Sequence, residues 1–242
     1  MQLNRASVFL PPVIVGCLFA MTLIGVERLA FRDVSHFYTP LYDYVAFRCD
    51  HDWLPLWNPL DQTGCPLVGE TTTAVLYPVR LLCFSLPIDA ATAMAWYVAL
   101  HLILASYAAL WCARFSGVSK QSAIIAALIY PLSGGVFFLF TNPPYLVGAA
   151  WLPLVLGPML SRLRIPTGRR IVVSGFALAM MVLGGDPQSA LHAMLIATLI
   201  GAARIVSHRC YDRGALLGTL VAAPILAALL SAPQIAASIS WG

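Results

Sequence analysis

Residues 91–113 read ATAMAWYVALHLILASYAALWCA, 23 residues without an Asp, Glu, Lys or Arg. A helix of that length clears the hydrocarbon core of a bilayer, which takes ~20 residues. The run is unbroken and shows none of the short alternating segments of a barrel strand. A helix satisfies its own backbone hydrogen bonds in lipid, so such a run reads as a membrane span. The composition agrees. Of the 242 residues, 60% are hydrophobic and 10% are charged, whereas a soluble domain carries ~25% charged residues. So much apolar surface cannot be hidden in one water-facing globule, and a water-soluble enzyme is excluded.

Six further apolar runs of similar length lie at about 8–28, 121–140, 145–161, 170–185, 188–206 and 214–231. Together they predict an all-α, polytopic transmembrane bundle of about seven spans, with residues 1–242 forming one membrane domain. The first run follows Asn4-Arg5 and has no small-x-small cleavage site before Glu27-Arg28, so it reads as a retained helix and not as a signal peptide. The chain stops at SAPQIAASISWG with no basic anchor, as a short protein or the front piece of a longer one would.

Charge sets the expected orientation. With the N-terminus in the cytoplasm, ten of the 14 basic residues fall inside: Arg5, Arg114, Lys120, Arg162, Arg164, Arg169, Arg170, Arg204, Arg209 and Arg213. Cytoplasmic loops are expected to be enriched in Lys and Arg. Arg28, Arg32, Arg48 and Arg80 fall outside, together with every acid except Asp212. The net charge of +4 thus speaks of orientation in a bilayer, and no nucleic-acid partner is expected. Acids contribute little to insertion, so their segregation calls for another cause, and function is a candidate.

This orientation places residues 29–90 outside as a large first loop. The turns Thr141-Asn142-Pro143-Pro144 and Gly184-Gly185-Asp186-Pro187-Gln188 fall on the same side. Three segments can therefore converge at one membrane face. Within the loop, Ala74 to Leu86 is amphipathic and contains Pro78 and Arg80, and it reads as an interfacial helix. Cys49 and Cys65 can pair if the loop meets an oxidising compartment, and otherwise remain free thiols. No Cys/His spacing suited to a metal occurs.

Several residues could carry chemistry. Asp33 follows the first span closely. A partly desolvated carboxylate there suits a general base, but it could equally pair with Arg32 or His36 or cap a helix starting near Val34. Trp53 and Trp57 suit stacking on a sugar or a place in the headgroup belt. Asn58 and Gln62 offer amides to a polyhydroxyl ligand. Asp186 precedes Pro187 and is placed as a helix N-cap. Gln188 and His192, four residues apart, share a helix face, and His192 lies about one turn below the surface, where an ionisable group lines a pocket or finds a buried partner. His101 has no such neighbour and reads as structural. Arg80 and Arg48 are the cations on the acidic side suited to a phosphate, and Arg80 is also suited to lipid anchoring.

The order of these elements resembles a family. Asp33 is followed by Phe37-Tyr38-Thr39-Pro40, Pro55-Leu56-Trp57-Asn58-Pro59, Gly64-Cys65-Pro66 and Tyr77-Pro78. Further on come Leu132-Ser133-Gly134, Ala150-Trp151-Leu152-Pro153-Leu154 and Gly185-Asp186-Pro187-Gln188-Ser189-Ala190. The pattern is similar to the N-terminal part of YfhO-like bacterial membrane proteins, grouped with the GT-C glycosyltransferases. The resemblance implies a plasma-membrane enzyme that takes a sugar from a polyprenyl-phosphate donor and places it on an extracytoplasmic glycan or lipid acceptor, with inversion and without a metal or other cofactor. It implies Asp33 as the base and Arg80 as the cation steadying the leaving phosphate. His36, Tyr38, Trp57, Asn58, Asp186, Gln188 and His192 are the further candidate substrate contacts. The chain departs from the family in having Asp186 where histidine is more usual, and in the polar run Leu60-Asp61-Gln62-Thr63. Two rival readings are a lipid or solute transporter, which the scarcity of charges inside the spans disfavours, and a non-catalytic membrane partner.

Overall fold

Apolar side chains on nearly every turn, with charged residues kept to the ends of the long helices, make a bundle of helices. The computed structural model describes residues 5–61, 63–163, 165–207 and 212–241. Gln62, Arg164, Arg209 and Cys210 lie outside the described residues. In chain order the helices are α1 (Arg5–Leu18), α2 (Ala20–Leu23), α3 (Thr39–His51), α4 (Pro78–Phe84), α5 (Ala90–Phe115), α6 (Lys120–Leu132), α7 (Gly134–Phe137), α8 (Pro143–Leu160), α9 (Thr167–Leu183), α10 (Pro187–Val206), α11 (Arg213–Leu230) and α12 (Ala232–Trp241). A π-helical turn, Val34–Tyr38, leads into α3, and a two-stranded ribbon pairs β1 (Trp57–Asn58) with β2 (Cys65–Pro66).

A helix occupies each of the seven apolar runs. Among the described residues four of them, α5, α8, α10 and α11, are long and apolar enough to cross a membrane on their own. A fifth crossing is available if α6 and residues 134–141, bent by 44° at Ser133, count as one span. The bend has a local cause. Pro131 sits inside the last turn of α6, and Ser133 adopts extended backbone between the two helices. The remaining runs form shorter helices, α9 of 17 residues and an apolar Phe9–Leu18 within α1.

The ends of the long helices are set by residues the sequence supplies at the right places. Asp89 caps α5 by accepting from Ala91 N and Thr92 N, with Thr92 Oγ1 donating 2.6 Å to its second oxygen. These bonds hold its carboxyl below the usual aspartate value. Ser119 caps α6 and Asp212 caps α11 in the same way. Pro143 and Pro144 open α8 and Pro187 opens α10, where a missing N–H leaves no gap in the helix ladder.

Burial sorts the helices into centre and rim. In α5, 72% of the apolar window is buried, against 22% for α10 and 28% for α11. The first is thus the core element, packed on α6 and α8, and the other two are peripheral, α10 lying on α8 and α9, and α11 on α9. Lipid offers helices no hydrophobic reason to associate, so close approach and polar contacts must hold them. Gly157 of α8 lets the Trp111 ring come so near that a Cβ would lie 2.3 Å from it, and Gly175 of α9 lies against Ala223 O of α11. Tyr130 Oη donates to Ala149 O at 2.8 Å, Ser174 Oγ to Val155 O at 3.2 Å, and Ser106 Oγ to Ala127 O.

The two ends of the bundle differ in chemistry. At one end basic side chains close the loops. Arg170 donates to Pro158 O and Ile165 O, Arg204 donates to Met159 O, and Arg169 lies over the Phe115 ring. At the other end lie the 29–90 segment, the 138–142 turn and the 184–186 turn.

Candidate functional site

In the stretch LPLWNPLDQTGCPLVGE, residues 54–70, the described residues on either side of Gln62 form a tight ribbon. Trp57 pairs with Pro66 and Asn58 with Cys65, Leu67 N donates to Leu56 O, and Gly64 N donates to Asp61 O. Gly64, at φ +111, holds the turn and lies flat under the Trp57 ring, where a Cβ would approach Cζ2 to 2.4 Å. Asn58 is buried and its Oδ1 accepts from Leu60 N, so its amide oxygen shapes this turn. Arg48 ties α3 to the ribbon through Trp57 O while it ion-pairs with Asp52. Beneath, Leu67, Val68 and Val75 make a small core with Val45 of α3. The loop is therefore a packed unit and not a slack connection. Cys49 and Cys65 are both free thiols.

The helix α12 lies across this ribbon. Gln234 Nε2 donates to Val68 O, Ser238 Oγ donates to Gly69 O at 2.8 Å, and the Trp57 and Trp241 rings meet edge to face at 5.9 Å. Trp53 stands clear of all this at 98% exposure.

Asp33 lies at the start of the loop, exposed, and its carboxylate makes no hydrogen bond or ion pair among the described residues. It does not cap the following turn. Arg32 before it has φ +53, a left-handed conformation that costs an L-residue ~1–2 kcal/mol. The Asp33 charge faces Tyr38, whose phenol is pushed up to about 12, first by burial and then by that charge. Tyr38 Oη donates 2.9 Å to Asn142 Oδ1 and so joins the loop to the turn before α8. Tyr145 and Glu70 also bear on that phenol. His36 is exposed on the same π-helical turn.

Arg80 lies in α4, which is shorter than the interfacial piece read from the sequence. Its guanidinium is 0% exposed and donates to Ala74 O at 2.8 Å and Val75 O at 3.1 Å. It points into the loop core and not toward a headgroup. Burial lowers its pKa from the usual arginine value.

Asp186 sits at the N-terminus of α10 with 1% exposure. Oδ1 accepts from Ser189 N at 2.9 Å, the expected cap. Oδ2 is buried with no hydrogen-bond partner. Burial raises this carboxyl above the usual aspartate value, opposed by its hydrogen bonds to Ser189 and by His192. Beside it is a cavity of about 310 Å³ between α8, α9 and α10. Tyr145, Ser189 and His192 supply its polar wall, and Leu139, Leu152 and Ile196 much of its apolar one. Gln188 is exposed and lies outside that lining, so the shared face expected for Gln188 and His192 does not bring both to the cavity.

A buried polar chain below the loop was not read as a unit from the sequence. Trp151 Nε1 donates 2.9 Å to Tyr77 Oη, and Tyr77 Oη lies 2.7 Å from His101 Nε2. His101 Nδ1 lies 2.7 Å from Tyr97 O. A carbonyl can only accept, so Nδ1 carries the proton, Nε2 accepts, and Tyr77 donates. His101 is structural, as its isolation along the helix suggested. Tyr77 and Trp151 belong to two of the quoted motifs, Tyr77-Pro78 and Ala150-Trp151-Leu152-Pro153, and only folding joins them. Tyr77→Phe leaves both the Trp151 N–H and His101 Nε2 unpaired in the core. We expect it to lower stability by at least about 2 kcal/mol, read as the melting midpoint of the solubilised chain, with Trp151→Phe costing less.

No group of three or more His, Cys, Asp or Glu side chains suited to a metal occurs among the described residues. Comparison with family models, curated proteins and solved structures finds no match to this chain.

Proposed function

We propose that the chain is a membrane-embedded glycosyltransferase of the YfhO-like, GT-C kind, transferring a sugar from a polyprenyl-phosphate donor to an extracytoplasmic glycan or lipid acceptor. In this reading it lies in a bacterial plasma membrane with its N-terminus in the cytoplasm. All seven apolar helical segments cross the bilayer, and the 29–90 loop stands outside. The observation that carries the reading is Asp33. It is an open, unbonded carboxylate beside a left-handed Arg32, held at the same end of the bundle as the Tyr38–Asn142 bond and the Asp186–His192 turn. Backbone strain of this sort concentrates at functional sites, because a fold that maintains it gains an aimed side chain in return.

The chemistry follows from that placement. Asp33 takes the proton of an acceptor hydroxyl. The oxygen attacks the anomeric carbon from the side opposite the phosphate, the bond to the phosphate oxygen breaks, and the configuration inverts. Arg80 serves the loop core, so the guanidiniums open to the leaving phosphate are Arg28 and Arg32, both exposed and close to Asp33 in sequence. Trp53 and Trp57 are the exposed rings available to a sugar face.

The test is transfer from a panel of radiolabelled polyprenyl-phosphate sugars to a membrane extract, using purified protein in nanodiscs. Transfer by the wild-type chain that depends on Asp33 supports the reading. Neither donor binding nor transfer across the panel would replace it with a non-catalytic membrane partner.

A further inference from the structure

The basic end of the bundle carries a groove that plays no part in the sugar chemistry. It lies between α5, α6 and α8 and encloses about 300 Å³, with Ala109, Cys112 and Ala113 on one wall, Ala126 on the second, and Leu156 and Leu160 on the third. We propose that it takes one acyl chain of an anionic phospholipid, whose phosphate is held at the rim by Arg114 and Arg162.

The wall calls for hydrocarbon. Tyr130 also lines the groove, but its hydroxyl donates to Ala149 O. Cys112 is a free thiol, which packs as a small hydrophobe. Water inside would find few partners, and a void would forfeit dispersion contacts along the lining. Cys112, Ala113, Ala126 and Leu156 are half-buried and Leu160 is exposed, so the groove opens sideways from the bundle, toward lipid. Along α8 it extends from Leu152 to Leu160, a rise of about 12 Å. A chain can therefore lie along it, parallel to the helices.

Arginines gather at its basic end. Arg114 follows Ala113 of the wall and donates to Val118 O at 3.3 Å across the turn between α5 and α6. Arg162 lies two positions past Leu160 of the wall, and its backbone N donates to Phe115 O at 2.9 Å. Its side chain runs over the same turn, where Cδ would lie 3.3 Å from a Cβ at Gly117. Arg169 sits over the Phe115 ring. Among the described residues none of these three arginines is in an ion pair. Asp212, the one acid at this end, is engaged as the cap of α11. Cations so collected repel one another until an anion joins them.

The ligand class follows from the two halves together. A phosphate accepts from guanidinium groups in their own fork geometry. A phosphate carried on an acyl chain satisfies both the rim and the groove. A zwitterionic headgroup would bring its own cation to the three arginines, and free phosphate would leave the groove unfilled.

The inference rests on the reading above only for setting the basic end at a bilayer surface, and it concerns binding, not transfer. The detergent-solubilised full chain would be titrated with phosphatidylglycerol, with phosphatidylcholine of the same chains and with inorganic phosphate, and bound ligand counted by native mass spectrometry. Phosphatidylglycerol is expected to bind at least tenfold tighter than either. Arg114→Gln with Arg162→Gln is expected to remove that preference, at about tenfold in affinity. Both side chains stand where water can replace them, so the melting midpoint should not move. Ala126→Trp fills the groove from its half-exposed wall and is expected to weaken both lipids alike. Arg213→Gln, at the same end but on α11, is expected to leave the preference intact. Equal binding of the two lipids, a preference that survives in the double glutamine chain, or the same loss in Arg213→Gln, as a diffuse basic surface would give, overturns the proposal. Unchanged lipid binding by a well-folded Ala126→Trp chain does so too. A chain that keeps the preference yet transfers no sugar would retain this site and remove the glycosyltransferase reading.

Discussion

Asp33→Asn is expected to reduce sugar transfer by about 10²–10⁴-fold, the contribution of a positioned general base, while the melting midpoint stays within ~0.5 kcal/mol of wild type in stability terms. The second half of that expectation comes from the geometry. Asp33 is exposed and its carboxylate makes no hydrogen bond or ion pair among the described residues, so an amide of the same size removes no structural contact. Donor binding should also persist, because the lost group acts on the acceptor hydroxyl. The measurement is transfer and donor binding side by side in nanodiscs for both proteins. Transfer that survives in Asp33→Asn would show that another group takes the proton. Donor binding without transfer in either protein would indicate that acceptor recognition needs parts beyond this chain.

Arg80→Met is expected to be the most destabilising single change in the loop, by about 3–5 kcal/mol. Methionine keeps part of the stem but removes every donor. The carbonyls of Ala74 and Val75, both on buried residues, then lose the guanidinium that holds them, at ~1–3 kcal/mol for each buried polar group left unpaired. Arg80→Lys should recover little, since a single ammonium does not reproduce the fork in which Nε reaches Ala74 O and Nη2 reaches Val75 O. The readout that separates this from phosphate binding is the pattern of loss. A structural Arg80 predicts early melting and protease cleavage within residues 54–75 whether or not a donor is present. A phosphate ligand predicts a stable chain with weakened donor binding. A well-folded Arg80→Met protein with poor donor affinity would therefore reverse the assignment.

The same contrast shows where sequence reading reached its limit. That Arg80 stands on the acidic side, on a short amphipathic piece, was legible. Its direction was not, because Ala74 and Val75 open that piece and look like any other apolar residues. The carbonyls that capture it exist only once the turn Thr71–Thr73 has placed them. Asn58 is a similar case. Its amide looked available to a ligand, whereas the ribbon buries it and uses its oxygen on Leu60 N. Asp186 is the opposite case. Its role as a cap was readable from the Pro187 that follows it, and the structure adds the second oxygen, unpaired at Gly148, which no local pattern announces.

The amino-acid sequence by itself determined that this chain is helical and built for a bilayer, where its helices start, and which end of the bundle is acidic and which basic. These follow from composition, run length and capping residues, all local properties that the physics of a lipid solvent reads directly. Only the tertiary structure decided which side chains meet. Tyr38 reaches Asn142, Trp151 reaches Tyr77, and Gln234 reaches back to Val68 across most of the chain. Such pairs depend on how helices without a period in common rotate against one another, and small residues at Gly148, Gly157 and Gly175 set that rotation by allowing close approach. What that packing decides is the setting of each carboxylate: Asp33 stands in the open and Asp186 is hidden.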